Sequence, residues 1–492
     1  GGNTTATGVN AHAEGQFTNA NAPNAHAEGF QTAANGFASH TEGSGAIANG
    51  DFSHAEGGGT TASGPASHAE GQFTTASGTV SHAEGSGTTA NGIVSHAEGS
   101  GTTASGLASH AEGRETRTFG ENSHAEGFQT TTGNIGDPTQ GTNAHAEGEN
   151  TTASGRASHA EGSTTIASGS ASHAEGASTI ASGSISHTEG LATRADAFIS
   201  HAEGLNTIVD VAHDGAHIMG QNGTTRFPFS WHLANGLMVG PTLNSAVIEG
   251  LTGNLYLDGT VMSPNAADYA EMFETFDGNS IEVGYFVTFD GASDKIRKAN
   301  ANDEYILGVI SSTPAMIADT SDLRWHNLFV KDEWGKIQYH EVVVPEIKDN
   351  DGNVIQPSFT KTEPILNPEW DSSQEYIPRL QRDEWVPVGL VGKLLIRDDC
   401  TCQAGSYCKP NDEGIATASN TGYRVMKRTG PNQVLVMFNT SPSSQTELDP
   451  VIKLEKLAKL KEKWIEYLKE LAKLKEQVTL LMKKFKLKNK NY

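Results

Sequence analysis

Three residue patterns in this 492-residue chain have the types and spacing to do chemistry. The first is Asp268-Tyr269-Ala270-Glu271, two carboxylates three residues apart. Hydrolysing an amide takes a base to activate water and an acid to protonate the leaving nitrogen. Two carboxyls with separated pKa values can divide those tasks. The same spacing also describes a solvated turn or a helix face, so the residues alone leave both open. The second pattern is His-x-Glu, recurring from His12 to His201. A carboxylate beside an imidazole makes a charge-assisted hydrogen bond. Three imidazoles around a threefold axis could instead hold a metal. We read a hydrogen-bonded ladder or an exposed face, with no resident metal and no cofactor. The third is Cys400, Cys402 and Cys408, read as reduced structural thiols because no fourth zinc ligand is near. Asn265 offers backbone cyclisation as a competing chemistry, and Asp137-Pro138 and Asp449-Pro450 are acid-labile dipeptides.

A repeat positions the His-x-Glu pairs. Histidine occurs at 12, 26, 40, 54, 68, 82, 96, 110, 124, 145, 159, 173, 187 and 201, spaced by 14 except for one step of 21. The unit reads S-H-A-E-G-x-x-T-x-A-x-G-x-x, and the seven extra residues around 133–142 read as an excursion from one turn. Strand alternation puts Ser81 and Ala83 on one face and His82 and Glu84 on the other. Thr88 and Ala90 share a face in the second run. Ser, Ala and Thr suit a very narrow interior, and glycines suit the turns. A parallel β-solenoid with one coil per repeat follows, about 70 Å long at ~4.8 Å per coil. So thin a roll buries little apolar area, so association must stabilise it.

The repeats resemble the head repeats of YadA-like trimeric adhesins, which form a left-handed parallel β-roll assembled as a trimer. That family has apolar side chains where this chain has His and Glu. The resemblance implies His and Glu ladders at the trimer interface. Pairing there would raise the His pKa, whereas burial would lower it.

Composition separates the remaining parts. Net charge is −24, which argues against nucleic acid and anionic membrane as partners. Residues 1–204 hold 35 of the 55 glycines, 20 acidic residues, 4 Arg and no Lys, whereas residues 451–492 hold 13 Lys and 5 Glu. No stretch of about 18 apolar residues exists, so no membrane insertion is expected. The Gly1-Gly2 start without Met reads as a truncated chain. In the C-terminal segment, Leu457, Trp464, Leu471, Val478 and Phe485 fall seven apart, with Leu460, Tyr467, Leu474 and Leu481 three residues after the first four. That is a heptad seam and predicts a coiled coil. A basic amphipathic membrane helix is the alternative. Between rod and helix, short Val/Ile/Phe runs at 285–289, 306–311, 342–344, 386–396 and 433–438 predict a mostly β domain. Phe227, Phe229, Trp231, Leu237, Met238, Leu255 and Tyr256 read as a core or neck cluster in a β-rich connector.

The string Ala267-Asp268-Tyr269-Ala270-Glu271-Met272-Phe273-Glu274 resembles the start of the intramolecular-chaperone autoproteolytic domain that ends many phage tail spikes and neck appendages. G-Y-F-V-T-F-D-G, K-I-R-K-A, I-L-G-V-I-S-S-T-P, W-V-P-V-G-L-V-G-K and C-K-P-N-D-E-G-I-A-T follow in the same order. The resemblance implies cleavage between Ala267 and Asp268, giving pieces of 267 and 225 residues. Asp268 and Glu271 would be the catalytic carboxylates, with Glu271 the better base. Glu274, His326 and His340 are possible helpers. The organisation expected is a head-repeat roll (1–212), a β-prism-like connector (213–267), the autoproteolytic domain (268–440), and a linker with the coiled-coil helix (441–492). The function expected is a homotrimeric appendage on a virion or extracellular surface, assembled in the bacterial cytoplasm, with a cell-surface receptor or glycan as a further partner. The alternatives are an adhesin whose C-terminal domain only trimerises, and a polysaccharide depolymerase, for which no singular carboxylate cleft is visible.

Overall fold

Each repeat has two alternating runs, and stacking them in parallel satisfies the backbone from coil to coil. In the computed structural model His82–Ala83 pairs with His96–Ala97, and Thr89–Ala90 with Thr103–Ala104, at the same 14-residue step along the rod. The structure describes all residues except 138, 238–241, 264–265, 349–351, 353, 440–449 and 489–492, and also leaves out the side chains of 355, 450–456 and 483–488. Asn265, Pro138, Asp449, Met238 and the Phe485 side chain therefore lie outside the described residues. The chain forms two compact units, Gly1–Val261 with Tyr339–Glu363, and Met262–Gln338 with Pro364–Tyr492.

The first unit is a parallel solenoid with the expected interior. Ser81, Ala83, Thr88 and Ala90 are almost fully buried, and the Ser81 hydroxyl donates to the Gly78 carbonyl at 2.7 Å. Gly85 has φ +101°, and a Cβ there would lie 2.2 Å from the Gly99 carbonyl oxygen. No other residue fits that approach. The other corner differs from expectation. Val80 and Val94 adopt the left-handed conformation at φ 58°, although β-branched residues disfavour it. Their N–H groups donate to the Pro65 and Thr79 carbonyls of the preceding coil at 2.9 Å, so ladder bonds hold the corner.

The 21-residue step is an excursion as expected. His124 pairs directly with His145 and Thr131 with Thr152, while the described residues of 133–137 and 139–141 leave the coil path. Parallel coils continue beyond the last regular repeat, pairing His201 with His217 and His217 with Trp231. Antiparallel strands Asn244–Ile248 and Leu255–Leu257 follow. Phe229, Trp231, Leu237 and Leu255 are at least half exposed, so one chain does not gather them into a core.

The second unit carries a ten-stranded sheet. Its strands are β1 (Asp268–Glu274), β2 (Phe286–Phe289), β3 (Ile296–Lys298), β4 (Gly308–Ile310), β5 (Met316–Ala318), β6 (Trp385–Arg397), β7 (Tyr407–Pro410), β8 (Ala416–Ser419), β9 (Tyr423–Gly430) and β10 (Gln433–Phe438). The long β6 organises it, pairing with β1, β4 and β10. Alternate residues of these strands fill two cores, one around Phe286, Ile396, Val436 and Phe438, the other around Val287, Ile310 and Val388. Cys402 and Cys408 are buried free thiols in the first core, and Cys400 is exposed. A single helix, α1 (Pro450–Lys488), ends the described chain. Its heptad residues Leu457, Leu460, Trp464, Tyr467, Leu471 and Leu474 are each more than half exposed, so the seam has no partner within one chain. No described helix is long and apolar enough to cross a membrane.

The His and Glu columns run along the rod. Imidazoles from His12 to His217 stack with centroids 4.5–5.0 Å apart, and Trp231 caps the stack. Each His from His40 onward sets Nε2 3.2–3.8 Å from the Glu Oε1 of the preceding coil. Nearby glutamates raise the His pKa values, but burial, the largest cause, and the neighbouring imidazoles outweigh them. His54, His110 and His187 are held below 6.5, and His201 is pushed down to about 4. In the carboxylate column, Glu56 and Glu175 rise to about 7 through bonds to Glu42 and Glu161, which fall.

A lowered His pKa means that the folded rod binds fewer protons than the unfolded chain. These histidines therefore favour folding above 6.5, and that contribution is lost as pH falls through the lowered values. The raised carboxylates such as Glu56 and Glu175 act the opposite way between 4.5 and about 7, but they are fewer than the lowered histidines, and the lowered carboxylates act only below 4.5. NMR titration is expected to place the shifted imidazoles below 6.5, with His201 lowest, and the rod's melting temperature is expected to drop between pH 7 and pH 5. Values above 6.5 would show instead that ion pairing dominates.

Candidate self-cleavage site

The chemistry expected at Asp268 depends on how β1 presents it. Strand alternation buries Asp268, Ala270 and Met272 and leaves Tyr269, Glu271 and Phe273 half-buried. Asp268 and Glu271 thus point to opposite faces, about 10 Å apart along the strand at ~3.4 Å per residue. One chain does not bring this pair of carboxylates together. Glu271 is instead oriented by Tyr269, whose hydroxyl donates to its Oε1 at 2.8 Å. That bond holds the Tyr269 pKa above its ordinary value.

Asp268 is 7% exposed, and its Oδ2 is buried without a hydrogen-bond partner. Burial raises its pKa, while the Ser311 hydroxyl and the backbone at Asp268 and Ala267 pull it back. The peptide around it is pinned on both sides. The Lys393 N–H donates to the Ala267 carbonyl at 3.2 Å, and the Ala315 N–H to the Asp268 carbonyl at 2.8 Å. Opposite Asp268 on β6 stands Gly392, and the pairing skips Leu390, a bulge between Val391 and Gly389. An open cavity of about 680 Å³ borders Ala267 and Asp268, with Ser311, Lys393, Arg397 and Lys427 on its walls. Water therefore has access to the bond.

The other candidates are engaged elsewhere. Glu274 holds Lys295 at 2.8 Å, His326 sits by Asp319 and Lys331, and His340 faces Glu363. In the rod, groups such as His82, Glu84 and His96 place ligand-type atoms within 4.8 Å of one another. Successive rings are nearly parallel, so their nitrogen lone pairs run side by side and do not converge on one ion. Ser311, Gly392 and Lys393 were not singled out from sequence. Their signal was the Gly389-x-x-Gly392 pair inside a strand, which marks close backbone approach.

The chain thus carries a parallel β-solenoid and a β domain whose first strand opens on a buried Asp held by backbone bonds on both sides. Residues 232–433 match the family model Peptidase_G2, the IMC autoproteolytic cleavage domain. That stretch is thus similar to the self-cleaving domain of that family, and part of the chain is similar to phage pre-neck appendage proteins. The pre-neck appendage protein of Bacillus phage B103 is 38% identical over 184 residues, 37% of this chain and 20% of that protein. That of Bacillus phage phi29 is 35% identical over 197 residues, 38% of this chain and 21% of that protein. The chain thus spans about a fifth of the length of these curated relatives. A crystal structure of the bacteriophage phi29 gene product 12 C-terminal fragment is 34% identical, with the match covering 35% of this chain and 100% of that one at a TM-score of 0.29.

A buried carboxyl with a raised pKa stabilises the fold when protonated, below its unfolded value near 3.8, and loses that contribution as pH rises through the folded value. At neutral pH the ionised Asp268 is therefore a cost that an amide avoids. In full-length, uncut chains, Asp268→Asn is expected to raise the denaturation midpoint at pH 7, with the difference vanishing near pH 3. A lowered midpoint at pH 7 would show that the Ser311 and backbone bonds outweigh burial.

Proposed function

We propose that the chain is a homotrimeric phage or prophage appendage that assembles through its C-terminal domain and then cuts itself between Ala267 and Asp268. The observation that carries this reading is the Ala267–Asp268 bond itself. It lies within the stretch that matches the self-cleaving domain and opens the first strand of the second unit, its Asp is buried, and backbone donors hold the carbonyls on both sides. The exposed heptad seam of α1 supports association as a coiled coil, and the exposed large residues from Phe229 to Leu255 support a neck between chains.

Trimer formation also accounts for the opposed carboxylates. Glu271 lies on the wrong face, and about 10 Å away, to activate water at the bond of its own chain. A neighbouring protomer's Glu271 meets neither restriction. In this reading Asp268 of the cut chain protonates or orients the leaving amine, and Glu271 of the neighbour activates water. Cutting then waits for assembly, because a lone chain has only half of the pair. No diffusible substrate is needed, and each bond is cut once.

Denaturing electrophoresis with N-terminal sequencing tests the site. Pieces of 267 and 225 residues with a new N-terminus at Asp268 are expected, appearing with first-order kinetics once trimers exist and without acceleration by added active protein. Glu271→Gln is expected to leave a full-length trimer, and Asp268→Asn to slow or stop the cut. Co-assembling these two variants tests the arrangement between protomers. Glu271→Gln chains, which retain Asp268, are expected to be cut beside an Asp268→Asn neighbour, which itself stays whole. A different new N-terminus overturns the site, and mixed trimers in which neither chain is cut overturn the shared site.

A further inference from the structure

We propose that β6 supplies the group that polarises the scissile carbonyl, the backbone N–H of Lys393, and that Gly392 is the positioning residue that lets it approach. This rests on the reading of Ala267–Asp268 as the bond cut. In the hydrolysis, water oxygen bonds to the Ala267 carbonyl carbon while one of its protons passes to the carboxylate base. Negative charge develops on the Ala267 oxygen. The C–N bond then breaks, the Asp268 nitrogen takes up a proton, and an Ala267 carboxylate and an Asp268 amine remain. A donor fixed beforehand at that oxygen lowers the barrier because no group has to reorganise as the charge appears.

The Lys393 N–H occupies that position, 3.2 Å from the Ala267 oxygen. Its approach is set by Gly392, at φ +123°, a conformation that side chains resist. A Cβ at 392 would lie 2.2 Å from the Ala267 oxygen and 2.7 Å from the Asp268 Cα. Three residues back, a Cβ at Gly389 would lie 3.0 Å from the unpartnered Asp268 Oδ2. The bulge at Leu390 lies between the two glycines. β6 thus meets the bond with bare backbone at the oxygen that gains charge and at the carboxyl beside the leaving nitrogen. Ladder pairing alone requires neither glycine, since most of β6 pairs through residues that carry side chains.

The test replaces the Lys393 amide by an ester, incorporating the α-hydroxy analogue of lysine at 393 in the full chain, which removes the N–H and keeps the side chain. Trimer formation by light scattering and the thermal midpoint are recorded beside the first-order cutting rate and its pH profile. Cutting about 10- to 1,000-fold slower, with trimer and pH profile retained, is expected for the loss of one such donor. Cutting within twofold of the unaltered rate overturns the proposal. If the ester chain fails to assemble, Gly392→Ala is compared with Gly291→Ala, which also puts a side chain at positive φ, at +94°, but in open space. Slow cutting by assembled Gly392→Ala alone supports the proposal, whereas equal rates, or recovery of the full rate on raising the temperature of assembly, overturn it. Sequencing the C-terminal piece of the unaltered protein keeps the two readings apart. An N-terminus other than Asp268 defeats the site assignment, and Asp268 with a normally cutting ester defeats only the role of Lys393.

Discussion

Coil-to-coil backbone pairing at a step of 14 residues is the interaction on which the rod depends. The side chains inside are Ala, Ser and Thr, too small to supply a large hydrophobic gain. Continuous ladders of N–H to C=O bonds, stacked glycine corners and stacked imidazoles hold the coils instead. The same ladders tolerate residues that would otherwise be misplaced. Val80 and Val94 sit in left-handed conformations because each corner N–H finds a carbonyl one coil away. The excursion at the described residues of 133–137 and 139–141 is tolerated for the same reason: the ladder resumes at His145 as though nothing intervened.

Such regularity leaves the register of association poorly specified. Each coil offers a neighbouring chain nearly the same face as the next, so sliding by one coil changes few contacts. A rod of this kind gains from an element that fixes the ends of several chains before the repeats zip together. The second unit has what such an element needs: a folded β core of its own and a helix whose apolar seam is unfilled in one chain. A self-cleaving domain placed after the rod suits that task, because the part that sets the register is dispensable once it is set. In the proposed order of events, severing the chain after assembly would separate the finished rod from the element that aligned it and make reversal slow rather than unfavourable.

Legibility in the sequence followed physical range. The rod could be read because its alternation has period 2 and its repeat is strict, so Ser81, Ala83, Thr88 and Ala90 declare the inward face. The strands at 386–396 and 433–438 could be read from their Val and Leu content and appear as Trp385–Arg397 and Gln433–Phe438. The left-handed Val80 could not, because its local preference points the other way and a bond from the preceding coil overrides it. The sign of the His shifts depended on whether burial or pairing is larger, which composition does not decide. At the candidate site, Asp268 and Glu271 were conspicuous as residue types, but their opposed faces follow only once the segment is known to be a strand. Lys393 acts through its backbone, which every residue shares, and only the bare glycine beside it left a trace.

The opposed faces change what the pair can be. Two carboxyls sharing one cleft would shift each other by like-charge repulsion, the usual way to separate an acid from a base. Here burial alone raises Asp268, and a Tyr269 hydroxyl holds Glu271. Each carboxyl is thus prepared by its own surroundings before the other arrives. In the proposed arrangement a single chain carries both without hydrolysing itself during folding, because the two carboxyls face different ways. On that proposal the chemistry is a property of the contact between chains, and the cut follows correct assembly without a separate signal.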